Sequence, residues 1–503
     1  MTKQRWLGLG AVVISLLVSS LIVTAAAQSA AAEQSVREIG SEKILLIDKE
    51  FFAGSTAVRQ KLHPARKTGQ PILIAEHPWE SAELNWFSVL EYGGKYRMWY
   101  ECYDVDGWGA EGTPADDTSF CYAESADGIH WTKPKLGLFE YRGSKENNIL
   151  FRRVGAGDAR SRVHGAGVFV DPHAPAEQRF KAVSQGGFRN TGGEPYRIAG
   201  MTSPDGLVWT RYPEPICPPF ADSQYSGFWD QRLRQYVLYG RVGGSGAGRG
   251  RAIGRAASDR FDRFEPLSLV LQTDEADPAD SDLYNPACVQ LPPAGGLYLM
   301  CPSLYQHKPD TLDIRLAVSR NGVEWTWPER ETAFIPLGKP GERDGGSLYM
   351  ANGCLAMGDE LWFYYSASPL KHGEATLEKL TQPANRRTFS RAVARRDRLV
   401  SATAAAEGGR FTTPPLKFSG ARLRVNASVR PEGALRIGLL DEQGKPIPGR
   451  GSEDCRAITG DHSQAMIEWA DSADVSTWAG RPIKLQFDLK DADVFGFQFV
   501  AIE

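Results

Sequence analysis

The sequence predicts an all-β protein: a five-bladed β-propeller followed by a C-terminal β-sandwich. Three observations carry that expectation. A short unit, Ser-x-Asp-Gly-x-x-Trp, occurs at Ser125–Trp131 and Ser203–Trp209, again at Ser319–Trp325 with Asn321 in the acidic position, and in worn form at Ser258–Phe264. Recurrence of one unit at intervals of tens of residues marks a repeat architecture. Between the copies, apolar runs alternate with polar or glycine turns, and 52 Gly, 31 Pro and 10% aromatic residues suit a turn-rich β chain.

The elements follow in order. Lys3 and Arg5 precede an apolar run, Leu7 to Val23, and small residues at Ala25–Ala27 or Ala30–Ala32, so residues 1–32 read as a signal peptide and the protein as secreted or periplasmic. The rival reading is an uncleaved anchor, because the run is almost long enough to span a bilayer; no other stretch is apolar enough to do so. Residues 40–396 form the propeller, with a lead-in strand at Lys43–Asp48. Its hairpins are Trp86–Tyr103 around Gly93-Gly94, Gly167–Gln185 around Asp171-Pro172, and Ser226–Val242 around Asp230-Gln231. Ala287–Pro302 around Gly295-Gly296 and Gly353–Ser368 around Gly358-Asp359 complete the set. The Ser-x-Asp-Gly-x-x-Trp unit then supplies the turn between third and fourth strands, its Gly adopting the positive φ of a tight turn. Residues 397–503 continue as alternating strands such as Leu423–Ala427, Leu435–Leu440, Ile483–Phe487 and Phe495–Phe499, the pattern of a sandwich.

A net charge of −3 argues against a nucleic-acid partner, and pairs such as Arg386-Arg387 and Arg395-Arg396 read as solvated surface. Seven cysteines in an exported chain permit disulfides, with Cys102–Cys121 and Cys288–Cys301 the candidate pairs and buried free thiols the alternative. No Cys-x-x-Cys or His-Glu-x-x-His occurs, so no metal or other cofactor is expected; a structural calcium is the one alternative, because Asp104-Val105-Asp106-Gly107 loosely matches a calcium loop.

Propeller geometry places the start of each first strand and the end of each second strand on one face, together with the long connections 104–118, 186–195, 243–250 and 304–311. Loops gathered on one face of a rigid scaffold are where sites form. The polar residues expected there are Glu80, Glu83, Glu101, Arg162, His164, Asp222, Arg241, Asp282, Tyr284, Asn285, Glu342 and Asp344. Converging carboxylates can supply the acid and the base or nucleophile of glycoside hydrolysis. The candidates for that pair are Asp222, Asp282, Asp344 and Glu101, with Tyr284, Arg241 and His164 orienting substrate and Trp79, Trp86 and Trp108 as apolar platforms for sugar rings. The competing structural reading of each acid is a turn cap. The run Gly243–Gly254 lacks the Gly-Lys-Ser/Thr ending of a phosphate loop and reads as a flexible mouth loop, with Arg249 and Arg251 able to reach an anionic substrate group.

Gly94–Tyr100, the Ser-x-Asp-Gly-x-x-Trp turns and Gly358–Tyr365 together resemble the five-bladed glycosidase superfamily, which includes invertase- and levanase-like family 32 and arabinanase- and xylosidase-like family 43. The chain is most similar to secreted bacterial proteins related to family 32, over Lys43 to Glu503. The resemblance implies an exported glycoside hydrolase acting on a polysaccharide or oligosaccharide; the alternative it leaves open is a non-catalytic carbohydrate- or cell-surface-binding propeller. The Trp-Met-Asn-Asp-Pro-Asn, Arg-Asp-Pro and Glu-Cys motifs of family 32 have no counterpart in the matching places, since Glu101-Cys102 falls in the first blade and Asp171-Pro172 at a hairpin turn. No catalytic role therefore transfers by motif. The Asp-box of sialidases has one more residue between Asp and Gly than the turns here, and it too is a structural turn.

Overall fold

The computed structural model describes residues 35–106, 118–152, 163–188, 196–220, 222–244, 250–291, 296–470 and 472–502. The expected signal segment 1–32, Trp108, Arg162 and Arg249 lie outside them. The chain is almost entirely β-structure, as expected. Five antiparallel sheets follow one another. The first contains Glu83–Tyr92, Lys95–Tyr103, Ser119–Ser125 and Ile149–Arg152. The second runs His164–Val170, Phe180–Gly187 and Tyr196–Ser203, edged by Thr210–Arg211 and Cys217–Phe220. The third is Ser226–Asp230, Gln235–Gly243, Arg251–Ser258 and Ser268–Leu271. The fourth is Cys288–Gln290, Tyr298–Met300 and Ala317–Ser319 with a bridge from Val318 to Thr326, and the pair Ser281–Leu283 and Ser303–Gln306 extends it. The fifth comprises Ser347–Met357, Glu360–Ser368 and Thr388–Arg395. The first strands of these sheets touch their neighbours in a closed cycle, the arrangement of a propeller.

The fifth sheet takes its outermost strand, Arg66–Leu73, from ahead of the first sheet. A ring assembled in this way joins its beginning to its end by main-chain hydrogen bonds. The residues before Arg66 behave differently: the expected lead-in strand pairs with the C-terminal sheet rather than with the propeller. Ile44–Leu45 lies against Gly496 and Phe497, Gly54–Thr56 against Gly409–Thr412, and Arg59–Leu62 against Val400–Ala404. The sandwich itself rests on two long strands, Arg422–Leu440 and Lys484–Val500, whose alternating burial puts Leu423, Val425, Ala427 and Leu485, Phe487, Leu489 inside. Phe411 stacks on Phe487 at 4.4 Å and Phe418 on Phe499 at 3.7 Å. Each buried Phe contributes about 1.5–3 kcal/mol over its exposed state.

The recurrent turn has a second role that its letters do not reveal. Ser125, Ser203 and Ser319 each accept the N–H of the turn glycine at 2.8–2.9 Å through the side-chain oxygen, while Asp127, Asp205 and Asn321 each accept two further backbone N–H groups. The glycines sit at φ +72°, +79° and +73°. Their carbonyls then accept a hydrogen bond from a neighbouring sheet: Tyr364 to Gly128 (3.0 Å), Trp99 to Gly206 (2.6 Å) and Tyr239 to Gly322 (2.6 Å). A Cβ on these glycines would lie 2.9, 2.6 and 2.7 Å from the same aromatic side chains. The turn is thus a clamp between sheets, and glycine is required both for its φ and for the close approach.

All seven cysteines are free thiols. Cys102 opposes Ser119 and Cys121 opposes Tyr100, so the two sulfurs meet diagonally at 3.6 Å rather than across one rung, and burial pushes the Cys102 thiol well up. Cys288 faces Met300, one residue from Cys301, which turns the Cys301 side chain to the opposite surface of the sheet. Neither expected disulfide is formed. Among the described residues no helix is long and apolar enough to cross a membrane.

Candidate functional site

The first strands are locked together by buried polar side chains. Ser88 donates to Ala166 O (3.1 Å), Gln224 to Phe87 O (2.8 Å), Ser226 to Asn352 and Asn285 to Met350 O (3.1 Å). This lattice divides the central channel. At the hairpin-turn end lies a cavity of about 650 Å³ lined by all five first strands, with Val89, Val168, Phe228, Val289 and Leu355 beside the polar Glu91, Ser226, Gln290 and Asn352. The clustered titratable groups are at the other end, where the first strands begin.

There, carboxylates from separate sheets are linked through shared neighbours. Glu101 closes the second strand of the first sheet and is 1% exposed. Its oxygens accept from Tyr103, from the Gly165 N–H (2.9 Å) and from Asn85 (3.4 Å), and lie 2.8 Å from His164 Nδ1. Burial opposes the charge of Glu101, yet His164, Tyr103 and the Gly165 amide hold its pKa below the ordinary value. The other ring nitrogen, His164 Nε2, is 3.5 Å from Asp222 Oδ1. Asp222 also pairs with Arg241 and, with its side chain 36% exposed, is the accessible end of this chain. Burial again works against the charge, and the hydrogen bond and charge of His164, together with Arg241, keep the Asp222 carboxyl well below the usual carboxylate range.

Asp282, on the short strand that enters the fourth sheet, is 1% exposed. Its Oδ2 takes the Arg251 backbone N–H (3.1 Å) and guanidinium (3.0 Å) and lies 3.0 Å from His307 Nε2, while Oδ1 has no hydrogen-bond partner. Tyr284 stands between the two acids: Ser223 Oγ donates to its carbonyl (2.9 Å), and burial followed by the charge of Asp222 pushes its hydroxyl up to about 12. The Arg251 guanidinium lies over Tyr284 at 4.8 Å and Tyr305 at 5.6 Å.

An aromatic wall completes the site. Trp86 stacks on Tyr284 at 6.1 Å and meets Tyr349 edge-on at 4.7 Å, and Tyr349 OH lies 2.8 Å from His372 Nδ1. His372 also packs against Tyr284 and Tyr305; burial and then the charge of Arg251 lower its pKa to about 4, so it is neutral at pH 7. Arg387 holds Glu83 at 2.8 Å beneath this wall.

Of the residues expected at the mouth, the fold brings together Glu101, His164, Asp222, Arg241, Asp282, Tyr284 and Trp86. Asp344 stands apart: it pairs with Lys67 at 2.6 Å, on the outermost strand of the fifth sheet. Glu342 caps its own turn by accepting the Lys339 N–H at 2.8 Å. Glu80 is not at the mouth either; it is fully buried between Tyr100 (2.6 Å) and Lys133 (2.8 Å). Trp79 is likewise interior, donating to Asn148 at 3.0 Å. Asp104, the first residue of the loose calcium pattern, is taken by Arg152 at 2.6 and 3.1 Å and by Tyr141 at 2.8 Å, and Asp106 by Arg142. Among the described residues no cluster of His, Cys, Asp and Glu is arranged to hold a metal. His307, Tyr305, Tyr349 and His372 are the additions. The connection at 304–311 pointed to the first two; nothing local marks Tyr349 or His372, which reach the wall only through the curl of the fifth sheet.

The chain matches no family model. Two curated relatives, Uncharacterized protein Rv1502 and Uncharacterized protein MT1551, from two strains of Mycobacterium tuberculosis, are each 31% identical over 172 residues, 33% of this chain and 48% of theirs. The chain thus spans about half the length of the curated relatives it matches. Among solved structures it is similar to a glycoside hydrolase (TM-score 0.46, 14% identity, 66% of this chain and 92% of that one). It is also similar to a family 43 arabinoxylan arabinofuranohydrolase from Bacillus subtilis in complex with cellotetraose (TM-score 0.40, 12% identity, 86% and 99%) and to an N-acetylgalactosamine deacetylase from F. plautii (TM-score 0.44, 16% identity, 68% and 96%). At TM-scores below 0.5 these likenesses carry no argument for activity.

Proposed function

We propose that this protein is an exported glycoside hydrolase acting on a polysaccharide or oligosaccharide at the propeller mouth, with Asp222 and Asp282 as the paired carboxyl groups. The observation that carries the reading is that two acids from adjacent sheets share Tyr284 and Arg251 as neighbours, beside an aromatic wall. Asp222, accessible and held ionised by His164 and Arg241, suits the base or nucleophile that acts at the anomeric carbon. Asp282, with one oxygen free of donors, is the partner that would protonate the leaving oxygen. Glu101 is as buried as Asp282, but both of its oxygens already accept hydrogen bonds, so in this reading it is a positioning residue that acts through His164. Kinship with family 32 and export through residues 1–32 belong to the same proposal.

The second reading is a glycan-binding propeller without turnover. It is favoured by one observation: each of the two acids is already paired with an arginine, Arg241 or Arg251, which suits hydrogen bonding of a ligand as well as catalysis. Product release from a broad polysaccharide panel separates the two. Release by the mature protein that disappears in Asp222→Asn and Asp282→Asn supports hydrolysis; glycan binding with no release from any substrate would overturn it.

A further inference from the structure

The Arg395-Arg396 pair, which the sequence offers only as solvated surface, leads to a second site. Arg395 ends the third strand of the fifth propeller sheet. It lines a cleft of about 420 Å³ where that sheet, the segment 61–66 and the sandwich residues Ser428, Asp461 and Asp493 meet. Lys61, Arg66 and Arg398 line the same cleft.

The charge arrangement there is unbalanced. Asp461 is shared by Arg395 (2.9 Å) and Arg398, and Asp493 by Lys61 (4.0 Å) and Arg430 (3.0 Å), so each acid of the sandwich already answers two cations. Arg66 is exposed and makes no ion pair among the described residues. Arg398 is only 6% exposed, and its Nη2 has no hydrogen-bond partner. The one other acid of the cleft, Glu360, accepts from the Trp362 indole at 2.8 Å. His63 also lines the cleft; burial lowers its pKa, and its Nε2 lies 2.8 Å from Ser401 Oγ. A concave, partly enclosed site whose four cations, Lys61, Arg66, Arg395 and Arg398, outnumber its three carboxylates suits an oxyanion, which guanidinium binds through paired N–H donors. Clefts between domains are also where ligand sites concentrate.

We infer that this cleft is a second binding site, separate from the mouth, for the oxyanion of an acidic saccharide, a uronate carboxylate or a sulfate ester. The saccharide part of the ligand rests on the glycan-directed reading of the mouth; the oxyanion part does not. The chain would then hold an acidic polymer at two places.

The experiment is calorimetric titration of the full chain with oligogalacturonate, with a sulfated glycosaminoglycan oligosaccharide, with a neutral oligosaccharide of equal length and with inorganic sulfate. The proteins are wild type, Arg66→Ser/Arg395→Ser and Asp222→Asn, each checked for an unchanged melting transition. The expected result is binding of one of the two acidic oligosaccharides that weakens at least ten-fold in Arg66→Ser/Arg395→Ser and with rising salt, while Asp222→Asn retains the salt-dependent part of that binding. Which acidic arm binds identifies the oxyanion. Binding of inorganic sulfate alone, lost in the double variant, would keep the anion site and overturn its saccharide. Acidic binding that is lost in Asp222→Asn but kept in the double variant would overturn the site, as would no anion binding by any folded protein.

Discussion

His164 faces Asp222 across 3.5 Å while its other nitrogen rests 2.8 Å from Glu101, so one imidazole joins a buried carboxylate of the first sheet to an accessible carboxylate of the third. Asp222 is the member of the chain that a ligand can touch. Replacing it with Asn keeps the shape and removes the charge. Turnover should fall by about 10²–10⁴-fold, the usual contribution of a positioned acid or base, in a protein that still melts well above the assay temperature. Steady-state product release and a thermal melt check both halves; an Asn variant of unchanged turnover sinks the assignment.

His372 supplies a pH dependence. Its pKa in the folded protein is about 4, against 6.5 in an unfolded chain, because it is buried and faces Arg251. Between those values the unfolded state binds the extra proton, so the stability contributed by neutral His372 is complete above pH 6.5 and is lost progressively toward pH 4. Denaturant melts from pH 7 to pH 4 should show this decline, and His372→Gln should flatten that part of the curve. An unchanged curve in the variant would show that His372 is not the group responsible.

The clamp between Trp99 and Gly206 is testable against an internal reference. Gly94 has φ +74° and open space around a would-be Cβ, whereas Gly206 has φ +79° and the Trp99 ring at 2.6 Å. Gly94→Ala should cost about 1–2 kcal/mol from the left-handed backbone alone. Gly206→Ala adds a steric clash and a strained hydrogen bond, so it should cost about 1–3 kcal/mol more. Equal losses in the two variants would mean that the turn does not clamp the sheets.

Glu80 and Lys133 form a buried pair at 2.8 Å, with Tyr100 donating to the same carboxylate. Lys133→Met leaves that carboxylate without its cation and should destabilise the first sheet by about 3–5 kcal/mol, whereas the double variant Glu80→Gln/Lys133→Met should recover part of the loss. Urea unfolding of the wild type, both single variants and the double variant measures the coupling directly.

By itself, the sequence determined the all-β class, the hairpins with their glycine turns and the recurrence of the Ser-x-Asp-Gly-x-x-Trp unit. These depend on local chemistry: the positive φ of Gly128, Gly206 and Gly322 and the alternation of apolar residues along single strands. Glu101, His164, Asp222 and Asp282 were also legible as mouth residues, because the start of a first strand and the end of a second must lie on the same face. The tertiary structure alone decided which acids lie together. Asp344 and Asp282 both precede a first strand, yet one finds Lys67, 277 residues away, and the other Arg251 of the preceding sheet, because such partners are chosen by how the sheets curl and close. The same closure sends Arg66–Leu73 to the fifth sheet and Arg59–Leu62 to the sandwich. Non-local strand pairing leaves no periodic trace in the segment that supplies it, so only the closed ring shows where each strand belongs.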